Sequence, residues 1–131
     1  MPRWRFVLGI VAAALMVVSA AAHTFLGGKQ IRAALGATAV PTDLTKAIGI
    51  GWTFGGVAML AFGTIAIANL VARRNDPAAS VAPLAITGAA YILFGLGALI
   101  VTGFDPFFLI FVVPGVLLAA ALSPRRGPGR T

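Results

Sequence analysis

Cysteine is absent from this chain, and histidine and tyrosine each occur once, at His23 and Tyr91. Without cysteine there is no disulfide, no thiolate metal site and no cysteine nucleophile. Acid is almost as scarce. The acidic residues are three aspartates, Asp43, Asp76 and Asp105, with no glutamate. Asp43 and Asp105 stand where a helix cap is wanted, and Asp76 falls in the turn Arg73-Arg74-Asn75-Asp76-Pro77, so capping and turn geometry account for all three. No serine, histidine and acid occur at a recognisable spacing, and Gly-x-Ser-x-Gly, His-Glu-x-x-His and the phosphate-loop pattern are missing. A membrane b-type haem usually takes two ligands, and one histidine cannot supply them. No enzymatic activity, metal or cofactor is therefore expected.

Charge of either sign is sparse, at 10% of residues, while 60% are hydrophobic. Soluble domains carry about a quarter charged residues, so the chain belongs in a bilayer. A hydrocarbon core about 30 Å thick needs roughly 20 apolar residues per helix, and 131 residues leave room for four such helices and no separate soluble domain. The fold class read from this pattern is an all-α integral membrane protein, a bundle of four transmembrane helices in a single domain. The formal charge of +7 is carried by residues at helix ends and forms no groove or aromatic-interleaved patch, so nucleic acid is not an expected partner.

The first span runs from Trp4 to Ala22, after a basic, tryptophan-bearing N-terminus. A cleaved secretory signal is the rival reading of this segment, with Phe6 to Val18 as the apolar region and Ser19-Ala20-Ala21-Ala22 as the small-residue cleavage site. Gly27-Gly28 is expected to break the helix. Beyond it, Ile31, Ala34 and Leu35 share one side and Lys29 and Arg32 another, which predicts a short interfacial helix between the first two spans. The second span covers about 44–72, opened by Pro41-Thr42-Asp43. The third covers 80–102, opened by Ser80 and Pro83, and the fourth covers 106–122, capped by Asp105-Pro106 and bent near Pro114. The tail 123–131 is basic and expected to be flexible.

Glycines mark where helices approach. Gly51 and Gly55, continued by Gly63, make a small-residue face on the second span, and Gly88, Gly95 and Gly97 do so on the third. Thr53, Thr64, Thr87 and Tyr91 could line a polar path, but such groups also hydrogen-bond within helix bundles, and packing is the expected role. Arg3, Arg5, Arg73, Arg74, Arg125, Arg126 and Arg130 fall on one side, against Lys29, Arg32 and Lys46 on the other, so both termini are expected in the cytoplasm.

A histidine side chain is suited to ligate, carry a proton or contact a quinone or lipid headgroup, which makes His23 a candidate. With Lys29, Gln30, Arg32 and Trp52 it makes a candidate polar cluster on the outer face. The plainer reading is an interfacial histidine beside independent anchors. Small multidrug transporters also have four spans, but they depend on a carboxylate inside the first, which this chain lacks.

The segment Ala22-His23-Thr24-Phe25-Leu26-Gly27-Gly28, followed by Ile31 and by Gly51-Trp52, resembles a group of small four-helix bacterial membrane proteins of unknown function. They share an Ala-His-x-x-Leu-Gly signature at the end of the first helix and a tryptophan early in the second. Many of them carry an acid after the glycine and a histidine after the tryptophan, where this chain has Gly28 and Thr53. The resemblance implies an inner-membrane protein and adds no chemistry. Two functions of different class follow. The first is a non-enzymatic packing, accessory or interaction component, partnered by lipid and by a second copy or another membrane protein. The second is a carrier or binding protein for a small apolar or anionic ligand admitted near His23 and Trp52.

Overall fold

The computed structural model describes residues 1–122, so the basic tail expected at 123–131 lies outside the described residues. It is all-helical, with α1 over Arg3–Ala21, a π-helical segment over Ala22–Gly27, α2 over Gly28–Gly36, α3 over Thr42–Asn75, α4 over Ala82–Val101, a 3₁₀ turn over Pro106–Phe108 and α5 over Leu109–Leu122. Three helical stretches, Arg3–Gly36, Thr42–Asn75 and Ala82–Val101, are long and apolar enough to cross a membrane, and Pro106–Leu122 is a shorter apolar one.

The expected break at Gly27-Gly28 does not occur. Both glycines hold right-handed helical backbone angles, and the first helix continues through the π turn into α2. Glycine costs about 1 kcal/mol relative to alanine inside a helix, so something must offset two of them. The offset is the Trp52 indole: a Cβ on Gly27 would lie 2.7 Å from Trp52 Cζ2, and one on Gly28 would lie 3.5 Å from Trp52 Nε1. The glycines are flat ground for an aromatic ring. The short helix expected between the spans is present as α2, but as an extension of the first rod, with Ile31 and Leu35 half-buried and Lys29 and Arg32 exposed.

Asp43 also departs from expectation. The α3 helix begins at Thr42 after Pro41 with no side-chain cap, and Asp43 sits in the first turn, 3.9 Å from Lys46. A carboxylate there still favours the positive end of the helix dipole without bonding it. Asp105 does cap, accepting from the Phe107 backbone N–H at 2.9 Å, and Asp76 accepts from Ala78 N–H inside its turn. The end of α4 is a Schellman motif: Gly103 adopts φ +68°, its N–H donates to the Ile100 carbonyl, and the Phe104 N–H donates to that of Leu99.

Small residues decide which helices lie close. On α3 the buried stripe is Gly56, Met59, Gly63, Ala66 and Leu70, facing Gly9, Ala12, Ala13 and Met16 of α1. A Cβ on Gly63 would meet Val17 Cγ2 at 2.7 Å and the Ala13 carbonyl oxygen at 3.2 Å. Gly51 is a correction to the expected packing face, since it is exposed with nothing within 4 Å of its Cβ position. At about 100° per residue, Gly51 lies roughly 100° around the helix from the centre of the buried stripe. Gly97 is likewise exposed and open, whereas Gly88 and Gly95 pack against Gly115 and Val112 of α5. Pro114 is buried within α5.

The resulting order around the bundle is α3, α1, α5, α4. Packing is close between α1 and α3, α1 and α5, and α4 and α5, and sparse between α3 and α4. The loose seam is where the candidate site lies.

Candidate functional site

His23 sits in the π-helical segment, and the helix it faces is the N-terminal part of α3. A π turn carries about one extra residue per turn, is uncommon, and is found frequently at functional positions. Here it presents His23 and Thr24 to the glycine pair Gly55-Gly56. A Cβ on Gly55 would lie 3.1 Å from His23 Nε2, and one on Gly56 would collide with Thr24 Oγ1.

Two reciprocal bonds lock the junction. His23 Nε2 donates to the Trp52 carbonyl at 3.0 Å, and Trp52 Nε1 donates to the His23 carbonyl at 2.9 Å. The rings stack with centroids 4.2 Å apart and planes 9° from parallel. The His23 carbonyl accepts the π-type backbone bond from the Gly28 N–H, and the indole N–H takes its second lone pair. A carbonyl only accepts, which assigns the proton of the neutral ring to Nε2 and its lone pair to Nδ1.

A cleft of about 260 Å³ opens beside this junction along the loose seam. His23 stands with Gly55, Ala58, Met59 and Phe62 on one wall, and Ala90, Tyr91, Phe94 and Phe111 form the other. The space exists because Gly55, Ala58 and Ala90 are small where their neighbours are bulky. Its walls are aromatic: Tyr91 lies edge-on to Phe62 at 6.1 Å, and Phe94 lies edge-on to Phe111 at 4.8 Å. Among the described residues no lysine, arginine or aspartate lines it. Tyr91 is only 3% exposed, and its hydroxyl is buried with no hydrogen-bond partner. A buried hydroxyl left unpaired costs about 1–3 kcal/mol, which calls for an explanation.

Of the polar cluster expected from the sequence, the structure brings together His23 and Trp52. Lys29 and Gln30 are exposed on α2 and do not line the cleft. Arg32 is also exposed, though its Nη1 lies 3.4 Å from the Cβ position of Gly28, on the ground that Trp52 occupies. His23 is half-buried against α3 instead of standing free at an interface. Thr53 and Thr64 turn outward and donate to the Gly49 and Leu60 carbonyls of their own helix, so they line no path. Phe94 and Phe111 are not legible as site residues in the sequence, and Tyr91 reads there as a hydrogen-bonding group, whereas its hydroxyl has no partner in the fold. The one signal there is a lone tyrosine with an aromatic three residues on, opposite the glycine pair. Among the described residues no three histidine, aspartate or glutamate side chains gather as a metal site would need. Comparison with family models, curated proteins and solved structures finds no match to this chain.

Proposed function

We propose that the chain is a non-enzymatic integral membrane protein that binds a small, neutral, largely apolar ligand in the cleft between α3 and α4. The observation that carries the reading is the pairing of His23 with the unpartnered Tyr91 hydroxyl on one aromatic cleft. A ligand pocket is mostly apolar with few convergent polar groups, which describes this lining. His23 Nδ1 supplies an acceptor and Tyr91 a donor, so a ring bearing a carbonyl or hydroxyl fits better than a bare acyl chain. Tyr91 lines the cleft with its hydroxyl buried, and Met59, unbranched and adaptable, lets the lining yield to expose it. An anionic ligand is disfavoured, because Lys29 and Arg32 stand outside the cleft.

With this reading go four membrane-crossing helices, both termini in the cytoplasm, and kinship with the small four-helix bacterial inner-membrane proteins that the Ala22–Gly28 signature resembles. The apolar faces of the three long helices and the basic residues at one end of the bundle support it.

The test uses W4F protein in mild detergent, so that Trp52 is the remaining tryptophan fluorophore. Saturable quenching by 1,4-naphthoquinone is expected, reduced about tenfold in affinity by A58F, which fills the cleft. Equal quenching by naphthalene, or no effect of A58F in folded protein, refutes the ligand reading and leaves the chain as a packing or accessory component.

A further inference from the structure

At the opposite end of the bundle from His23, α1, α3 and α5 meet around a second cleft of about 180 Å³, lined by Met1, Pro2, Arg5, Arg73, Ala121 and Leu122. Two arginines from different helices therefore share one small concavity with an apolar floor. Arg73 is held in place from one side, its guanidinium donating to the Ala79 carbonyl across the α3–α4 turn. Its Nε is buried and has no hydrogen-bond partner. Arg74, next along, lies over the Phe6 ring of α1 with its guanidinium 4.5 Å from the centroid, which pins the two helix ends together and adds positive charge beside the cleft.

Among the described residues no carboxylate pairs with Arg73 or Arg74. The ion pair between Lys46 and Asp43 belongs to the other end of the bundle. Asp76 is exposed and engaged by the Ala78 backbone N–H. The sequence has no acidic side chain after Asp105. A guanidinium N–H buried without an acceptor is costly, and guanidinium forks suit tetrahedral oxyanions, which they engage through paired N–H···O bonds.

We propose that this cleft binds a phosphate oxyanion, and that its source is the headgroup of an anionic lipid. A basic pocket between helix ends on the arginine-rich side faces the leaflet where anionic headgroups gather, and the floor of Ala121 and Leu122 accommodates the start of an acyl chain. The inference rests on the membrane placement given above and is independent of any ligand in the aromatic cleft.

The experiment is native mass spectrometry of the full chain from an uncharged detergent, offered phosphatidylglycerol or phosphatidylcholine at equal concentration. Phosphatidylglycerol is expected to be retained preferentially, and R73Q should lower that retention about tenfold, as removal of a charge-assisted hydrogen bond would. K29Q, at the far end, should leave it unchanged. Because Arg73 also braces the α3–α4 turn, R5Q provides a second variant that removes the cleft's other guanidinium. Retention unaltered in folded R73Q and R5Q overturns the proposal, as does an equal loss in K29Q, which would mark general attraction to a cationic protein. Displacement of the lipid by millimolar inorganic phosphate, which then binds alone, overturns the lipid as source.

Discussion

His23 and Trp52 each donate a ring N–H to the other's backbone carbonyl, at 3.0 and 2.9 Å, while their rings lie in parallel contact. The pair ties the π-helical end of the first rod to the start of α3. Trp52→Phe keeps a ring for stacking and loses the bond to the His23 carbonyl. It should cost about 1 kcal/mol, and Trp52→Ala about 3 kcal/mol, in thermal unfolding in detergent. Equal stability of W52F and wild type would show that the indole bond is dispensable.

The glycines of α3 should separate by face. Gly63→Ala forces a Cβ onto Val17 and onto α1 backbone, an overpacking cost of about 1–3 kcal/mol. Gly51→Ala meets nothing and gains helix propensity, so it should be neutral or stabilising by up to about 1 kcal/mol. The opposite ranking of their unfolding temperatures would mean that α3 presents a different face to α1.

Phe104 holds φ +67° immediately after Gly103 and is exposed. A left-handed conformation costs a non-glycine residue about 1–2 kcal/mol. Phe104→Gly relieves that cost and is expected to raise stability by about 1 kcal/mol in the same detergent. An unfolding temperature lower than wild type would show that the Phe104 ring contributes more to the fold than its backbone angle takes away.

Tyr91→Phe removes a buried hydroxyl that has no partner. Stability without ligand should hold or rise by about 1 kcal/mol, because no bond is broken and a desolvated group is eliminated. Affinity for 1,4-naphthoquinone should fall in the same variant. A clear drop in stability would reveal a partner for the hydroxyl within the fold and remove it from the ligand site.

Topology is checked with single cysteines at Gln30 and Asn75, both exposed at opposite ends of the structure. An impermeant thiol reagent applied to intact cells should label Q30C and spare N75C. Labelling of both or of N75C alone would reverse or cancel the arginine-based orientation.

The helical class and the approximate extents of the apolar segments were determined by the sequence alone. A run such as 44–72, without charge except near its ends, has few alternatives: wherever apolar side chains exclude water, the polar backbone must satisfy its own hydrogen bonds, and a helix does so locally. Asp105-Pro106 likewise announced its cap, because capping depends on neighbours two residues away. What the chain could not disclose was whatever depends on the facing helix. Gly27-Gly28 reads as a break until Trp52, distant in sequence, occupies the space the glycines leave. Gly51, Gly55 and Gly63 look like one flat strip, yet packing sets Gly63 against α1 and Gly55 against His23 and leaves Gly51 open, since helix rotation is settled by the close fit of α3 on α1. The cleft is the extreme case. Tyr91, Phe94 and Phe111 come together with His23 only because α4 docks on α5 and leaves its seam with α3 loose. That choice lies in the shapes of two surfaces, and a shape shared between helices has no periodicity to read in either one.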